Sequence, residues 1–221
     1  MRRYIISIIM LILPSSYVVA ESPLYTIERD STLSPIERRI YKREKLWAAL
    51  IPKHQILQYA GNMGLISTGV GWNYGKHNQW ETELMLGFVP KYSTERAHVT
   101  ITIKENYIPW RLSLGQSPFS IEPLHASLYV TSIFGHEFWN NQPERYPKGY
   151  YWFSTKARIN IAIGHGIMHT LSKTNKFALR SYTIFWETST TELDIIYKAK
   201  NKNVPIKDII HFSIGTKFQI M

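Results

Sequence analysis

From Ile56 to the end of the chain, apolar and polar residues alternate with a period of two, the spacing of a half-buried β-strand. Eight segments carry this pattern. The first covers residues 56–74. Leu57, Tyr59, Met63 and Leu65 share one face there, and Ile66, Val70, Trp72 and Tyr74 continue one residue out of phase. That shift predicts a bulge near Leu65 and Ile66, with Gly69 and Gly71 turned inward. Segments 79–89, 98–110, 123–134, 150–163 and 177–188 follow. Segment 192–199 is read as a seventh strand, with Leu193, Ile195 and Tyr197 opposed by Asp194. The eighth, 209–221, alternates Phe212, Ile214, Phe218 and Ile220 with Ser213, Gly215, Lys217 and Gln219. In this layout the connection 135–149 falls at the same end as the N-terminal lead.

Before Ile56 the period is helical. Ser34-Pro35-Ile36-Glu37 has the form of a capping box with Pro at the first helical position. Ile36, Ile40, Trp47, Leu50 and Ile51 share one side of the wheel, with Glu37, Arg38, Lys42 and Lys45 opposite. Such a basic amphipathic helix suits either a membrane interface or packing against the periplasmic end of the β domain or inside it. Earlier still, Arg2 and Arg3 precede an apolar run from Tyr4 to Leu13, then Pro14, Ser15 and Ser16, and the small Ala20 before Glu21. These are the three parts of a secretory signal peptide. The run is too short to span a bilayer, which needs about 20 residues. The expected organisation is a signal peptide at 1–20, a lead and amphipathic helix at 21–54, and a β domain at 55–221.

Alternation suits a soluble sandwich as well as a barrel. Two features favour a closed antiparallel transmembrane β-barrel of about eight strands. The polar faces carry charges of both signs, at Glu81, Glu83, Lys104, Lys156, Arg158, Asp194 and Lys217. Across a narrow lumen such groups pair and offset their desolvation. Aromatic residues gather near strand ends, Trp72, Tyr74, Trp80, Tyr151 and Trp186 among them, as in the girdles of membrane barrels. With Trp47 of the helix, these are the expected membrane-interface residues.

Composition narrows the partners. The chain has 221 residues, no Cys and a formal net charge of +10. Without Cys there is no lipidated Cys, thiolate metal site or Cys nucleophile. The basic balance suits anionic lipid or lipopolysaccharide phosphates; after a secretion signal, nucleic acid is not an expected partner. No residue set predicts a metal or cofactor: His165 and His169, four apart near the turn after the fifth segment, have helical ligand spacing in a strand context.

The terminal run Phe212-Ser213-Ile214-Gly215-Thr216-Lys217-Phe218-Gln219-Ile220-Met221 resembles the C-terminal targeting strand of Gram-negative outer-membrane barrels, although it finishes on Met221 rather than an aromatic residue. Gly71-Trp72-Asn73-Tyr74-Gly75-Lys76-His77 and Trp80-Glu81-Thr82-Glu83-Leu84 resemble small uncharacterised outer-membrane β-barrel proteins of Bacteroides-like bacteria. The resemblance implies secretion to the periplasm, the barrel assembly machinery as a partner, and an outer-membrane location. It implies no activity. Some small barrels modify the acyl chains of lipid A or phospholipid. That chemistry needs a hydroxyl nucleophile, a His base and an orienting carboxylate, for which His125, Ser127, His136 and Glu137 are the candidates. The residues favour a non-enzymatic structural or lipid- or partner-binding envelope component. An acyl-modifying enzyme and a secreted β-sandwich stand as alternatives.

Overall fold

The computed structural model describes residues 34–91, 96–135, 138–139, 154–172 and 179–220. Strands β1 (His54–Ala60), β2 (Ile66–Tyr74), β3 (Trp80–Val89) and β4 (His98–Tyr107) form an antiparallel meander. A two-residue strand β5 (Leu112–Ser113) and the long β6 (Phe119–Phe134) follow, then β7 (Ala157–Thr170), β8 (Ser181–Thr191) and β9 (His211–Gln219). Two pairings convert the meander into a closed cylinder. β4 runs beside β6 over nine residue pairs, from Val99 with Phe134 to Tyr107 with Ala126. β9 returns to β1, His54 opposite Gln219. The result is a closed eight-stranded antiparallel barrel, with β5 an outlier hydrogen-bonded to the start of β6. Closure excludes the sandwich and removes exposed sheet edges.

The strand count agrees with the expectation, but two elements do not. Residues 56–74 are a hairpin, not one bulged strand. Ala60, Gly61 and Gly64 have φ of 61°, 82° and 131°, so the chain reverses at 60–65 and β1 pairs with β2. At Gly64 a Cβ would also stand 2.9 Å from the Phe88 carbonyl oxygen, so only Gly serves. The shift of phase at Leu65 and Ile66 marked a turn. Conversely, residues 192–199 are not a strand. They lie in a helix, α2 (Glu192–Lys200), after the N-terminal α1 (Pro35–Ala49). Thr191 caps α2, accepting from the Asp194 N–H while Asp194 reaches back to the Thr191 N–H. Glu192 and Asp194 in the first turn and Lys198 and Lys200 in the last complement the helix dipole.

One strand gained early in the chain reverses the direction of those that follow. The connection after Phe134, expected at the N-terminal end, therefore starts and finishes at the opposite end. Below, the end holding His54, Tyr74, Trp80, Tyr107, Ser181 and Gln219 is the terminal end, and the other the distal end. β7 is also displaced from its expected span, continuing to Thr170, so His165 and His169 lie within a strand rather than beside a turn.

Polarity is the reverse of a soluble protein's. Exposed outward residues occur on all eight barrel strands and are predominantly apolar. They include Leu57, Ile66, Leu86, Ile103, Leu128, Ile161, Ile184 and Ile214. The inward set is mostly polar or charged, broken by one cluster of Ile56, Met63, Met85, Tyr129, Ala162 and Phe185. Outward aromatics form two rims: Tyr74, Trp80, Tyr107 and Phe218 at the terminal end, Tyr59, Phe88, Phe134 and Phe212 at the distal end. Trp80 and Phe88 share one strand, about 27 Å apart along it. A tilt of about 40° brings that to about 20 Å, near the about 25 Å apolar band of membrane barrels.

The helix α1 forms where its capping box predicts. Ser34 Oγ accepts from the Glu37 N–H at 3.3 Å and the Glu37 carboxylate from the Ser34 N–H at 2.8 Å. This second bond holds the Glu37 carboxyl below its usual range. Trp47 lies in the last turn.

Candidate functional site

The site is the lumen. With eight strands the interior is just wide enough to be filled by side chains, and the two-residue period aims every second side chain at it. β3 contributes Glu81 and Glu83, β4 Lys104 and Asn106, β8 Phe185 and Glu187, β9 Lys217, β1 His54 and Gln58, and β2 Asn73. β6 changes phase through an irregularity between Glu122 and His125, which lets both face inward.

Two ion-pair clusters result. Toward the terminal end, Lys217 Nζ donates to Glu81 Oε2 at 2.5 Å and stands 3.4 Å from Glu83 Oε1. His54 Nε2 is also 3.4 Å from Glu83 Oε1, and its Nδ1 is 2.8 Å from Asn73 Oδ1. Asn73 Nδ2 in turn donates to Glu81 Oε1 at 2.8 Å. Arg111, in the segment between β4 and β5, crosses this mouth. Its Nη2 meets Glu81 at 2.8 Å, its Nε meets Glu122 Oε1 at 2.7 Å, and its Nη1 donates to the Asn78 carbonyl at 2.8 Å. Glu122 Oε2 takes His125 Nε2 at 2.5 Å. In the middle of the barrel Lys104 Nζ donates to both oxygens of Glu187 at 2.7 Å.

Phe185 separates the clusters, with the Lys104 and Lys217 ammoniums 5.4 and 5.2 Å from its ring centre, within cation–π range. The ring fits because position 215, its cross-strand partner, is Gly; a Cβ there would approach Phe185 to 2.5 Å. Gly71 similarly leaves room for His54, whose imidazole would meet a Cβ at 2.2 Å.

Of the charges expected to share the lumen, the fold brings Glu81, Glu83, Lys104 and Lys217 inside. Arg158 holds an inward position of β7 at the distal rim, opposite the buried Thr131 of β6, while Asp194 and Lys156 lie off the barrel strands. Asp194 is on α2, 3.5 Å from His211 Nε2. Arg158 pairs with Glu192 at 3.2 Å, both partly exposed. Lys156 precedes β7 and is half-buried. Four titratable lumen groups were missed. Glu187 was hidden because Phe185 interrupts the polar face of β8. Glu122 and Arg111 lay in a presumed loop, and His54 before the presumed first strand.

His125 and Ser127 are both buried and inward, yet each is turned to another partner. Ser127 Oγ lies 2.7 Å from Asn106 Oδ1 and 3.2 Å from Glu187 Oε1, while His125 Nε2 is held by Glu122. The serine proton is thus directed at an amide oxygen and a carboxylate rather than at an imidazole base. His136, Glu137 and Tyr151 lie outside the described residues. Tyr74 and Trp80 stand at the terminal rim and Trp72 one outward position deeper; Trp186 is mid-strand on the outer face.

His54, Glu81 and Glu83 offer ligand atoms within 4.8 Å of one another, a donor set suited to a divalent cation. The Lys217 ammonium already stands against both carboxylates, so the fold supplies its own cation there.

No family model matches the chain, and neither a curated protein nor a solved structure is significantly similar to it.

Proposed function

We propose that the protein is an outer-membrane β-barrel of a Gram-negative bacterium, secreted to the periplasm behind a cleaved signal and acting as a non-enzymatic envelope component. The observation that carries this reading is a belt of exposed apolar side chains on every barrel strand around an interior of paired charges. In water such a belt is an aggregation surface, since soluble monomers rarely expose apolar patches beyond a few hundred Å². In lipid it is the required exterior, and a closed barrel satisfies every backbone group. The two aromatic rims fit headgroup depth.

The loops support an orientation. Long connections outside and short turns inside are usual. Here the two longest connections, β6–β7 and β8–β9, are distal, and the β2–β3, β4–β6 and β7–β8 connections at the terminal end are shorter. The distal end would therefore face outward and the terminal end the periplasm. Exposed Lys200, Lys202 and Lys207 in the distal β8–β9 connection suit the phosphates of lipopolysaccharide. The amphipathic β9 suits recognition by the barrel assembly machinery.

Fractionation with gel mobility tests this reading. The folded protein should sediment with outer membranes and change mobility when boiled. A mature chain that stays in solution without detergent would refute it. Acyl patterns of membrane lipids should be the same with and without the protein; a change abolished by His125→Ala or Ser127→Ala would replace the non-enzymatic role with catalysis.

A further inference from the structure

On the outer face, one carboxylate breaks the apolar belt. Glu105 points outward from β4, in line with Val99, Ile101 and Ile103, and is only half-buried. It lies opposite Thr82 of β3 and Leu128 of β6. Thr82 Oγ1 donates to Glu105 Oε2 at 2.6 Å, and Tyr74 Oη donates to Glu105 Oε1. Both donors are neutral. Among the described residues no Lys, Arg or His stands within ion-pair distance of Glu105. The lumen carboxylates all have a cationic partner. This outward one does not.

An unpaired carboxylate on the lipid-facing surface is costly, and ionisable groups within the membrane mark function by default. The hydroxyls of Tyr74 and Thr82 fix its orientation without neutralising it. Two of its about four acceptor sites are filled by them. The next outward pair toward the terminal end is Trp80 and Tyr107, with ring centres 4.5 Å apart. Glu105 therefore sits one outward position inside the aromatic rim, at headgroup depth in the proposed membrane. The missing countercharge has to come from the medium on that face, at that depth, and it has to donate hydrogen bonds. A primary ammonium meets all three requirements, and adjoining aromatic faces favour a cation further.

We propose that Glu105, with Tyr74, Thr82, Trp80 and Tyr107, forms a surface site for the primary ammonium headgroup of a membrane phospholipid. The site rests on the membrane reading above and names one lipid class that the barrel selects.

The test uses the full mature chain reconstituted in vesicles of equal parts phosphatidylethanolamine and phosphatidylcholine with matched acyl chains. Choline has the same charge without N–H donors. Lipid retained by the barrel after mild detergent extraction is quantified by mass spectrometry. Wild type should retain ethanolamine lipid over choline lipid by about two- to fivefold, the range of an exposed ion pair. Glu105→Gln should bring the ratio to about one, and Tyr74→Phe should leave a smaller preference. Equal retention of the two lipids by wild type overturns the site, as does an ethanolamine preference that survives Glu105→Gln. Heat-modifiable mobility of each variant shows that it is folded. Should the wild-type chain not float with vesicles at all, the membrane reading fails and this site with it. Should it float without preference, only the site fails.

Discussion

Toward the terminal end and middle of the lumen stand Glu81, Glu83, Glu122 and Glu187 with Lys104, Lys217 and Arg111, and with His54 and His125 in contact. Toward the distal end, below the Arg158–Glu192 pair at the rim, the inward positions carry mostly neutral groups. Thr102 bonds Thr131 at 3.0 Å, Gln58 bonds Ser213 at 2.9 Å, and Thr100 donates to the Met63 carbonyl, which the β1–β2 turn folds over the interior. Both halves fill the same diameter, but they do so under different penalties. A buried charge robbed of its partner costs several kcal/mol, whereas an unpaired hydroxyl costs less. The charged half is thus the more specific half: its groups tolerate only one arrangement, while hydroxyls can be exchanged with little loss. Arg111 at the mouth joins that arrangement to the β2–β3 turn through the Asn78 carbonyl.

The largest effect is expected from Lys104→Met, which strands Glu187 in the lumen. It should lower unfolding free energy in urea by about 3–5 kcal/mol, and adding Glu187→Leu should restore most of it. A double variant as unstable as the single would mean the pair is not the unit. Next, Ile163→Arg on the outer face should cost about 2–4 kcal/mol in lipid, as for a basic residue near the midplane of a barrel. Stability unchanged in vesicles would place that face in water. In the neutral half, Thr102→Val should cost about 1–2 kcal/mol, with Thr131→Val added making little further difference. A loss as large as that of Lys104→Met would erase the contrast between the halves. The smallest response belongs to an exposed carboxylate, Glu37. Its folded pKa lies below the unfolded value, so its contribution to α1 is complete above the ordinary carboxylate range and fades as pH falls through the folded value. The Ser34 amide shift by NMR, titrated from neutral to acid, should report that transition; Glu37→Gln should flatten it.

The alternation along 79–89, 98–110 and 209–221 left no doubt about strands, because a period of two with large outward residues has no helical reading. Faces were legible for the same reason: Glu81, Glu83, Lys104 and Lys217 sit on the polar side of clean alternation. Where alternation was short, it misled. Leu193, Ile195 and Tyr197 repeat at two, but Thr191 and Asp194 form a capping box, and local hydrogen bonds won over the pattern. In 56–74 the pattern was long and the Gly61, Asn62 and Gly64 cluster, a turn signal, was outweighed by apolar residues on both sides. The two errors cancelled in the count and not in the direction, which is why the connection after Phe134 was expected at the wrong end. Partnerships such as Arg111 with Glu81 and Glu122 were illegible because they join distant strands through a segment without any period.

The β1–β9 seam has a consequence for biogenesis. Because His54 pairs with Gln219, β1 has no partner on that side until β9 has been made. A nonsense codon between Thr191 and His211 would yield an open ribbon with two bare borders, β1 and β8, available for runaway pairing with other copies. Quality control of this polypeptide therefore has a natural checkpoint in whether those borders have met.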